Sequence, residues 1–291
     1  MRSLLAMTNP RPLLAVDGDN FVHRAYHGLP KTIRRASERP AGAIIGFANF
    51  LLRLYQTEQP RAVLVAWDTL DAPNFRQRLF PPYQSGRVFD AAVLEQLALI
   101  PEFVRACGFA NGKASGFEAD DFLAATAAYE TRRGGTALVA SGDRDAFQLA
   151  STATTILHPL KAGQMARIGP AEVLERYGVE PRQVPDFIAL RGDPSDKLPG
   201  ARGIGARTAA NLLRQYDTLE GVLGSGRFDE EAQALTLYKR IATMDPSAPL
   251  PALDDQTPTW ATAAALVREW GLPRLAERIR DIEPGAETHA Q

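Results

Sequence analysis

Several features are missing from the chain, and most of these absences exclude a class of protein. Among its 291 residues there is one cysteine, Cys107, which excludes an internal disulfide framework and fits a reducing compartment. We find neither an apolar run of membrane-spanning length nor a signal-like N-terminus, so we expect a cytoplasmic protein without a membrane partner. The chain also has no large excess of positive or negative charge, since its formal net charge is −1. That value averages acidic and basic regions, so it does not exclude an anionic partner.

Acidic residues follow the apolar runs of the sequence. The runs LLAV, VLVAW and ALVASG lead to Asp17, Asp68 and Asp143, respectively. Runs rich in valine and leucine that alternate with helical stretches predict buried parallel strands. Ligand sites in open α/β sheets lie at the carboxyl ends of such strands. We therefore expect these three aspartates to converge on one crevice.

Two further acidic clusters extend this set. Glu118, Asp120 and Asp121 open a predicted helix, whereas Asp193 and Asp196 lie in the turn RGDPSD. With Asp145, the complete set is Asp17, Asp68, Glu118, Asp120, Asp121, Asp143, Asp145, Asp193 and Asp196. Carboxylates gathered in one place raise each other's pKa unless cations neutralise them, and oxygen-rich sites favour Mg²⁺ or Mn²⁺. Paired divalent ions about 4 Å apart are typical of phosphodiester cleavage, so the set predicts a metal-dependent enzyme acting on phosphate esters.

Each acid also has a simpler interpretation. An aspartate after a strand is commonly a turn residue or a helix N-cap. Acids in the first turn of a helix can simply complement the helix dipole. We interpret Asp19, in the sequence VDGDN, as such a turn residue. The prediction of a metal site therefore depends on the joint pattern of the acids.

The order of predicted elements indicates two domains. Strand–helix alternation over residues 12–180 predicts an α/β core with a mostly parallel sheet, and residues 181–284 read as a helical region. An insertion at 69–100 carries arginines, aromatic residues and Pro81-Pro82, which would interrupt a helix. We expect flexible ends at 1–11 and 285–291.

A glycine-rich segment at about 198–213 precedes a good helix. Backbone N–H groups in such a turn, with a helix N-terminus behind them, can bind an anion. A dinucleotide-binding fingerprint would require a strand immediately upstream, and GDPSDKLPG is not one. A helix–hairpin–helix that grips backbone phosphates is the better interpretation. A purely structural corner between two helices, with capping glycines, stays open as an alternative.

Taken in order, these motifs resemble those of a known family. The matching residues are Asp17, Arg24-Ala-Tyr26-His27, Asp68, Phe75-Arg76, Tyr83, Arg87, Glu118-Ala-Asp120-Asp121, Ser141-Gly-Asp143-Arg-Asp145, Gly192-Asp193-Pro-Ser-Asp196, Pro199-Gly200 and Gly203-Ile-Gly205. The chain is similar over roughly residues 12–250 to bacterial 5′-nucleases of the flap endonuclease type. It resembles the N-terminal 5′–3′ exonuclease domain of DNA polymerase I, and we expect it to act as a stand-alone protein without the polymerase.

The resemblance implies a two-metal nuclease with a PIN-like core. The first cluster would involve Asp17, Asp68, Glu118, Asp120 and Asp121, and the second Asp143, Asp145, Asp193 and Asp196. The 69–100 insertion would form a helical arch around a free 5′ strand. In that arch Arg76, Arg78 and Arg87 would contact phosphates, and Tyr83 could stack on a base. Arg24 would steer the scissile phosphate.

The resemblance also implies how the nucleic acid is held. The hairpin residues Arg202, Gly203, Gly205 and Arg207 would hold duplex DNA beside a bound K⁺. The expected substrates are DNA with a 5′ flap or a free 5′ end and RNA primers on DNA. A polymerase and a ligase would be functional partners, and we expect a monomer.

Two other functions fit parts of the pattern. In a phosphatase of the aspartyl-phosphate type, Asp17 would be the nucleophile of the Asp17-Gly-Asp19 motif. That function leaves the 118–121 acids and the glycine hairpin unexplained, and Asp19→Asn should abolish it while sparing a nuclease. A catalytically inactive DNA-binding module would use the hairpin alone. The full acid set disfavours such a module, because unneutralised acids weaken DNA binding.

Gln84 departs from the family pattern, which has lysine after the arch tyrosine, close to the scissile phosphate. Glutamine keeps a hydrogen-bond donor but loses the positive charge, so the chemistry would be slower unless Arg87 compensates. We predict that Gln84→Lys raises the single-turnover rate of cleavage. An unchanged or lower rate in rapid-quench measurements would contradict this prediction.

Overall fold

The computed structural model describes residues 11–69, 73–86 and 88–282. Two sets of predictions lie outside the described residues. They are those made for the two ends of the chain, apart from Arg11, and those made for Arg87. In the described part of the chain no helix combines the length and the apolar character needed to cross a bilayer.

A six-stranded sheet forms the centre of the molecule. Its strands, in chain order, are β1 (Leu13–Asp17), β4 (Ala62–Ala66), β5 (Ala110–Gly112), β6 (Ala137–Ala140), β7 (Thr154–Pro159) and β8 (Met165–Ile168). Their spatial order is β5-β4-β1-β6-β7-β8, and every pairing is parallel except that of β7 with β8. Two further strands, β2 (Arg34–Arg35) and β3 (Arg39–Pro40), form a short hairpin that is separate from this sheet. The prediction of a mostly parallel sheet is confirmed.

The chain passes from β1 to β4 and β5 on one side, then returns to β6 and β7 on the other. The topological switch point of the sheet therefore lies beside β1, where the connections turn from one side to the other. In such sheets a crevice that can bind a ligand opens at this point, at the carboxyl ends of the strands. Within β1, Leu13 and Ala15 face one core, whereas Leu14 and Val16 face the other. This two-sided burial explains why the strands read as continuous apolar runs.

Twelve α-helices lie in the described residues. The first six are α1 (Gly18–Gly28), α2 (Gly42–Glu58), α3 (Phe75–Leu79), α4 (Ala91–Ala106), α5 (Ala119–Arg132) and α6 (Pro170–Tyr177). The others are α7 (Val184–Arg191), α8 (Ala206–Tyr216), α9 (Leu219–Leu223), α10 (Ala232–Ala242), α11 (Trp260–Glu269) and α12 (Pro273–Arg280). The helix that Glu118, Asp120 and Asp121 were predicted to open forms as α5.

The helices cover both faces of the sheet. Buried side chains of α5 to α10 form the core on one face. Those of α1, α2, α4, α11 and α12 form the core on the other. Helices from the predicted second region, 181–284, thus complete both cores of the predicted catalytic region.

The insertion predicted at 69–100 differs from the expected helical arch. Its described residues comprise the five-residue helix α3, a turn at 81–86 and the first part of α4. Asn74, Arg76 and Tyr83 are buried, and Val93 and Ile100 of α4 belong to the core. In the described residues this segment therefore lies against the body of the protein, because its larger side chains are used for packing.

Candidate active site

The carboxyl ends of the central strands bring the predicted acids together. Asp17 ends β1 and caps α1, where its carboxylate accepts a hydrogen bond from the Asn20 amide at 3.1 Å. It also accepts one from Ser141 Oγ, just beyond β6, at 2.8 Å. Asp68 lies two residues after β4, and its Oδ1 accepts from the Ala119 amide at 2.8 Å. Asp68 thereby fixes the start of α5 beside the end of β4.

These acids line one open cavity of about 620 Å³. The carboxylates on its wall are those of Asp17, Asp19, Asp68, Glu118, Asp120 and Asp143. They come from the ends of β1, β4 and β6 and from the starts of α1 and α5. Five of the six belong to the predicted metal set, so the structure brings these five to one place as the sequence predicted.

The cavity carries an excess of negative charge. Burial and the charge of Asp68 raise the pKa of Asp17 to about 7, although hydrogen bonds from Asn20 and Ser141 lower it. Burial also raises the pKa of Glu118 to about 7, against the opposing effect of Arg76. The pKa of Asp120 is raised well above its ordinary value by burial and then by the charge of Asp143. Such a site is electrostatically suited to a cation.

The second predicted acidic group adjoins this cavity. Burial raises the pKa of Asp145 well above its ordinary value, and the charges of Asp143, Asp196 and Asp193 raise it further. Asp196 Oδ1 accepts a hydrogen bond from Gln84 Nε2 at 3.1 Å. Asp193 caps its own turn through the Ser195 amide at 2.8 Å. Of these four acids only Asp143 lies on the cavity wall.

Asp121 does not face the cavity, and this corrects its predicted role as a metal ligand. Its side chain is fully buried, and its carboxylate accepts from Arg76 at 2.7 and 2.9 Å. It accepts further bonds from the backbone amides of Glu118 at 3.0 Å and Asp245 at 2.9 Å. Glu118 and Asp121 do share a helix face, as their spacing predicted, but that face is the one bound by Arg76.

Arg76 is likewise not placed for the predicted contact with phosphate. Its side chain is only 3% exposed and forms ion pairs with Glu118 at 2.8 Å and with Asp121. It also donates to the carbonyl oxygens of Ile241 at 2.9 Å and Thr243 at 3.1 Å, near the end of α10. Burial lowers the pKa of Arg76, but the bond to Asp121 and the charges of both acids raise it more, so it stays charged. Arg76 therefore joins α3, α5 and α10.

Tyr83 is buried rather than available to stack on a base. Its ring is 5% exposed and packs in the same core as α5. Its hydroxyl donates to Glu118 Oε2 at 3.2 Å and accepts from Gln84 Nε2 at 2.9 Å. Burial, followed by the charge of Glu118, raises the pKa of Tyr83 well above its ordinary value, so the hydroxyl stays protonated. Through this hydrogen bond Tyr83 helps to hold the Glu118 carboxylate in position.

The remaining predicted contacts are exposed. Arg24 lies on the cavity wall, next to the acids. Arg78 is not on the cavity wall, and it donates to the Pro73 carbonyl at 3.0 Å. Arg202, Gly203, Gly205 and Arg207 are exposed on the turn between α7 and α8. In that turn Gly200 and Gly203 have φ values of +73° and +75°. A Cβ atom on Gly200 would lie 2.4 Å from the Gly192 backbone nitrogen. Only glycine at residue 200 therefore allows these two backbone segments to approach so closely.

Asp19 is a site residue that the sequence analysis missed. We interpreted it as a turn residue, but it lies in the first turn of α1 with its carboxylate on the cavity wall. Its Oδ2 accepts from the Asp68 amide at 2.7 Å. Burial and the charge of Asp68 raise its pKa well above the ordinary value. The available signal was its place two residues after Asp17, at the start of a helix.

The donor set fits divalent cations of the Mg²⁺ type. All candidate ligands are carboxylate oxygens, and burial together with the charges of neighbouring acids raises the pKa values of Asp17, Glu118 and Asp120. Among the described residues, however, no three Asp, Glu, His or Cys side chains lie close enough to hold one ion between them. Mg²⁺ commonly keeps several waters and binds through one or two carboxylates, so this spacing is compatible with it.

A mostly parallel sheet with an acidic cavity at the carboxyl ends of its strands places the chain among the open α/β folds that bind ligands at the switch point of the sheet. Residues 12–178 match the family model for the 5′–3′ exonuclease N-terminal resolvase-like domain. Residues 179–267 match the model for the 5′–3′ exonuclease C-terminal SAM fold. The chain belongs to the 5′–3′ exonuclease family.

Relatives are found among bacterial DNA polymerases I. The thermostable DNA polymerase I of Thermus thermophilus is 38% identical over 225 residues, which cover 77% of this chain and 26% of that protein. The DNA polymerase I of Mycobacterium leprae is 32% identical over 275 residues, covering 93% and 30% of the two chains. The chain thus spans about a quarter to a third of the length of these curated relatives.

Solved structures show the same fold. The T5 D15 protein co-crystallised with metal ions superimposes with a TM-score of 0.67 at 19% identity, covering 94% of this chain and 99% of that one. The catalytic core of Rad2 in complex with DNA substrate gives a TM-score of 0.59 at 15% identity, with coverages of 94% and 92%.

The raised pKa values predict an unusual pH dependence of stability for the metal-free protein. Asp17 and Glu118 bind protons more tightly in the folded chain, with pKa values of about 7 against ordinary values of 3.8 and 4.5. Their contribution favours folding below about pH 4 and is lost as pH rises towards 7. The two groups together lose several kcal/mol between pH 5 and pH 7.5, so in EDTA the melting temperature should fall by about 10 °C, at about 2–4 °C per kcal/mol.

Differential scanning calorimetry with and without Mn²⁺ checks this prediction. Bound cations should raise the melting temperature more at pH 7.5 than at pH 5, and Asp17→Asn should flatten the dependence seen in EDTA. A wild-type profile in EDTA that matches the Asp17→Asn profile would contradict it.

Proposed function

We propose that the chain is a structure-selective, metal-dependent 5′-nuclease that acts as a 5′–3′ exonuclease and a flap endonuclease. The observation that carries the proposal is the convergence of Asp17, Asp68, Glu118, Asp120 and Asp143 on one cavity, with raised pKa values in three of them. Family membership supports the reaction class. The substrates would be DNA with a 5′ flap or a free 5′ end and RNA primers on DNA.

Two or more Mg²⁺ or Mn²⁺ ions would be held by the carboxylates of the cavity wall and by Asp145, Asp193 and Asp196 beside it. When bound, these ions would supply Lewis-acid stabilisation of the charge on the reacting phosphate. The T5 D15 protein has been co-crystallised with metal ions, and T5 5′-exonuclease has been solved with bound zinc, which supports the binding of divalent cations in general. Asp121 and Arg76 are omitted from the ligand and phosphate contacts because they bind each other.

The chain's own residues would orient the substrate. Arg24, exposed on the cavity wall, would bind the scissile phosphate and offset its charge. Gln84 also lies on the wall, where its amide is held by Tyr83 and Asp196. The carboxylates repel an anionic strand, so the strand should enter the cavity itself only when cations are present, whereas binding at the rim of the cavity and at the hairpin should not require them.

The turn between α7 and α8 would bind duplex DNA without reading its sequence. Gly205 precedes α8, whose N-terminus has no side-chain cap; Arg202 before this end and Arg207 in its first turn are both exposed. Such an end suits a backbone phosphate, and a K⁺ ion at the glycine turn would add positive charge. The T5 D15 flap endonuclease, human GEN1 and Rad2 have each been solved with DNA. A polymerase and a ligase of the same cytoplasm would act before and after this enzyme.

Cleavage of an end-labelled 5′-flap duplex in Mg²⁺, Mn²⁺ or EDTA tests the proposal. We expect cutting near the junction of single strand and duplex in either metal and none in EDTA. The absence of cutting in all three conditions would overturn it.

A phosphatase is the second candidate because Asp19, which that reaction requires next to Asp17, lies on the cavity wall. For the same reason, Asp19→Asn no longer separates the two activities. Hydrolysis of p-nitrophenyl phosphate does so, because a phosphatase would turn it over rapidly without DNA and the nuclease would not.

A further inference from the structure

Two turns at the rim of the cavity are joined by side-chain contacts. The first is the 81–86 turn, and the second is the 193–198 turn, which Asp193 and Leu198 close through mutual backbone hydrogen bonds of 2.8 Å. Gln84 Nε2 donates to Asp196 Oδ1 at 3.1 Å. Beside it, Lys197 Nζ donates to Ser85 Oγ at 3.2 Å. Each turn therefore holds the other in position.

Lys197 adopts a backbone conformation that lysine rarely takes. Its φ is 58°, in the left-handed region that glycine tolerates without strain and that asparagine occupies more readily. A lysine there strains the backbone, and its long side chain offers no local hydrogen bond that would relieve the strain. The geometry of the turn alone would favour asparagine or glycine at residue 197. The lysine must therefore be explained by what its ammonium group contacts.

The ammonium group of Lys197 is a positive charge without an acidic partner in the described part of the chain. By contrast, Lys239 is paired with both Asp186 at 2.7 Å and Glu220 at 2.8 Å. The Lys197 side chain is exposed, and Nζ lies 3.7 Å from the position that a Cβ atom on Gly86 would occupy. Gln84, two residues before Gly86, lies on the cavity wall. The ammonium group thus sits at the rim of an acidic cavity.

We propose that Lys197 binds a phosphate of the substrate strand at this rim, with Ser85 and the Gln84–Asp196 bond holding it in place. The proposal rests on the proposed nuclease function. A strand that approaches the cavity meets a wall of carboxylates, and a cation at the rim lowers that repulsion. Lysine suits this role because its ammonium is a compact point charge with three donors, of which Ser85 uses one.

Lys197→Asn separates this role from a structural one. Because asparagine suits the left-handed backbone, the variant should melt about 1–3 °C higher than wild type. Its cleavage of the 5′-flap duplex should nevertheless fall about tenfold, mainly through a higher KM, since the lost contact is a charge-assisted one. Lys197→Arg should keep most of the activity. Lys161→Asn, an exposed lysine on the β7–β8 connection, is the matched control and should cleave like wild type.

The salt dependence of flap binding in EDTA gives a readout that needs no cleavage. Loss of one phosphate contact should make the slope of log K against log [salt] shallower by about 0.7–0.9 for Lys197→Asn, but not for Lys161→Asn. Equal slopes for Lys197→Asn and wild type would overturn the proposal even if the wild type proved not to cut. A Lys197→Arg variant as impaired as Lys197→Asn would also overturn it. If the wild type binds but does not cut, the nuclease function fails, whereas a changed slope still supports the contact.

Discussion

Asp143→Asn/Asp145→Asn should lower the single-turnover rate of 5′-flap cleavage about a thousandfold, equivalent to roughly 4 kcal/mol of transition-state stabilisation. Asp143 lies on the cavity wall, and its charge raises the pKa values of both Asp120 and Asp145. It therefore lies within electrostatic reach of both groups of acids. Removal of the two carboxylates should weaken the binding of the cations on which the reaction depends.

The same double variant should be at least as stable as the wild type in EDTA. The two carboxylates repel their neighbours, so neutral amides relieve a strain in the metal-free fold. Flap binding in EDTA should not weaken either, because the change removes negative charge. Asp229→Asn/Asp254→Asn, which neutralises two exposed acids, is the matched control and should cleave normally. A double variant that cleaves at the wild-type rate, or that fails because it is unfolded, would contradict this account.

Much of this site could be predicted from the sequence because the pattern is local. The apolar runs before Asp17, Asp68 and Asp143 identify three strands, and parallel strands necessarily place their carboxyl ends on one edge. Strand β5, with the sequence ANG, carries no such signal, since it has three residues and lacks the large apolar side chains of the other strands. Strand β8 is a short edge strand that pairs antiparallel, and only Ile168 in it is fully buried.

The orientation of the individual acids could not be predicted in the same way. Spacing places Glu118 and Asp121 on one face of α5, but it does not reveal what faces them. That is decided by Arg76 of α3, more than forty positions earlier, whose guanidinium fills the space between α5 and α10. In the sequence, an arginine in a loop predicted to bind nucleic acid is naturally interpreted as a phosphate contact. Only the tertiary structure shows it to be a buried counter-ion.

The burial of Arg76 leads to the largest effect on stability that we expect. Arg76→Met should lower the free energy of unfolding by about 3–5 kcal/mol, because it leaves the buried Asp121 carboxylate without its counter-ion. Asp121 is fully buried, and it would keep only the amides of Glu118 and Asp245 as donors. Urea denaturation followed by circular dichroism measures the change. Arg78→Met, two residues along the same helix but exposed, is the matched control and should cost less than about 0.5 kcal/mol.

A second substitution tests the cause of this loss. In Arg76→Met/Asp121→Asn the buried charge on α5 is also removed, while the amide oxygen can still accept from the Asp245 backbone N–H. The double variant should therefore recover part of the stability lost by Arg76→Met, giving a coupling energy of about 1–3 kcal/mol. If Arg76→Met were instead fully stable but bound flap DNA with a shallower salt slope, Arg76 would be a phosphate contact, as its sequence context first indicated. The two roles thus predict opposite outcomes, since a buried counter-ion affects unfolding and a phosphate ligand affects binding.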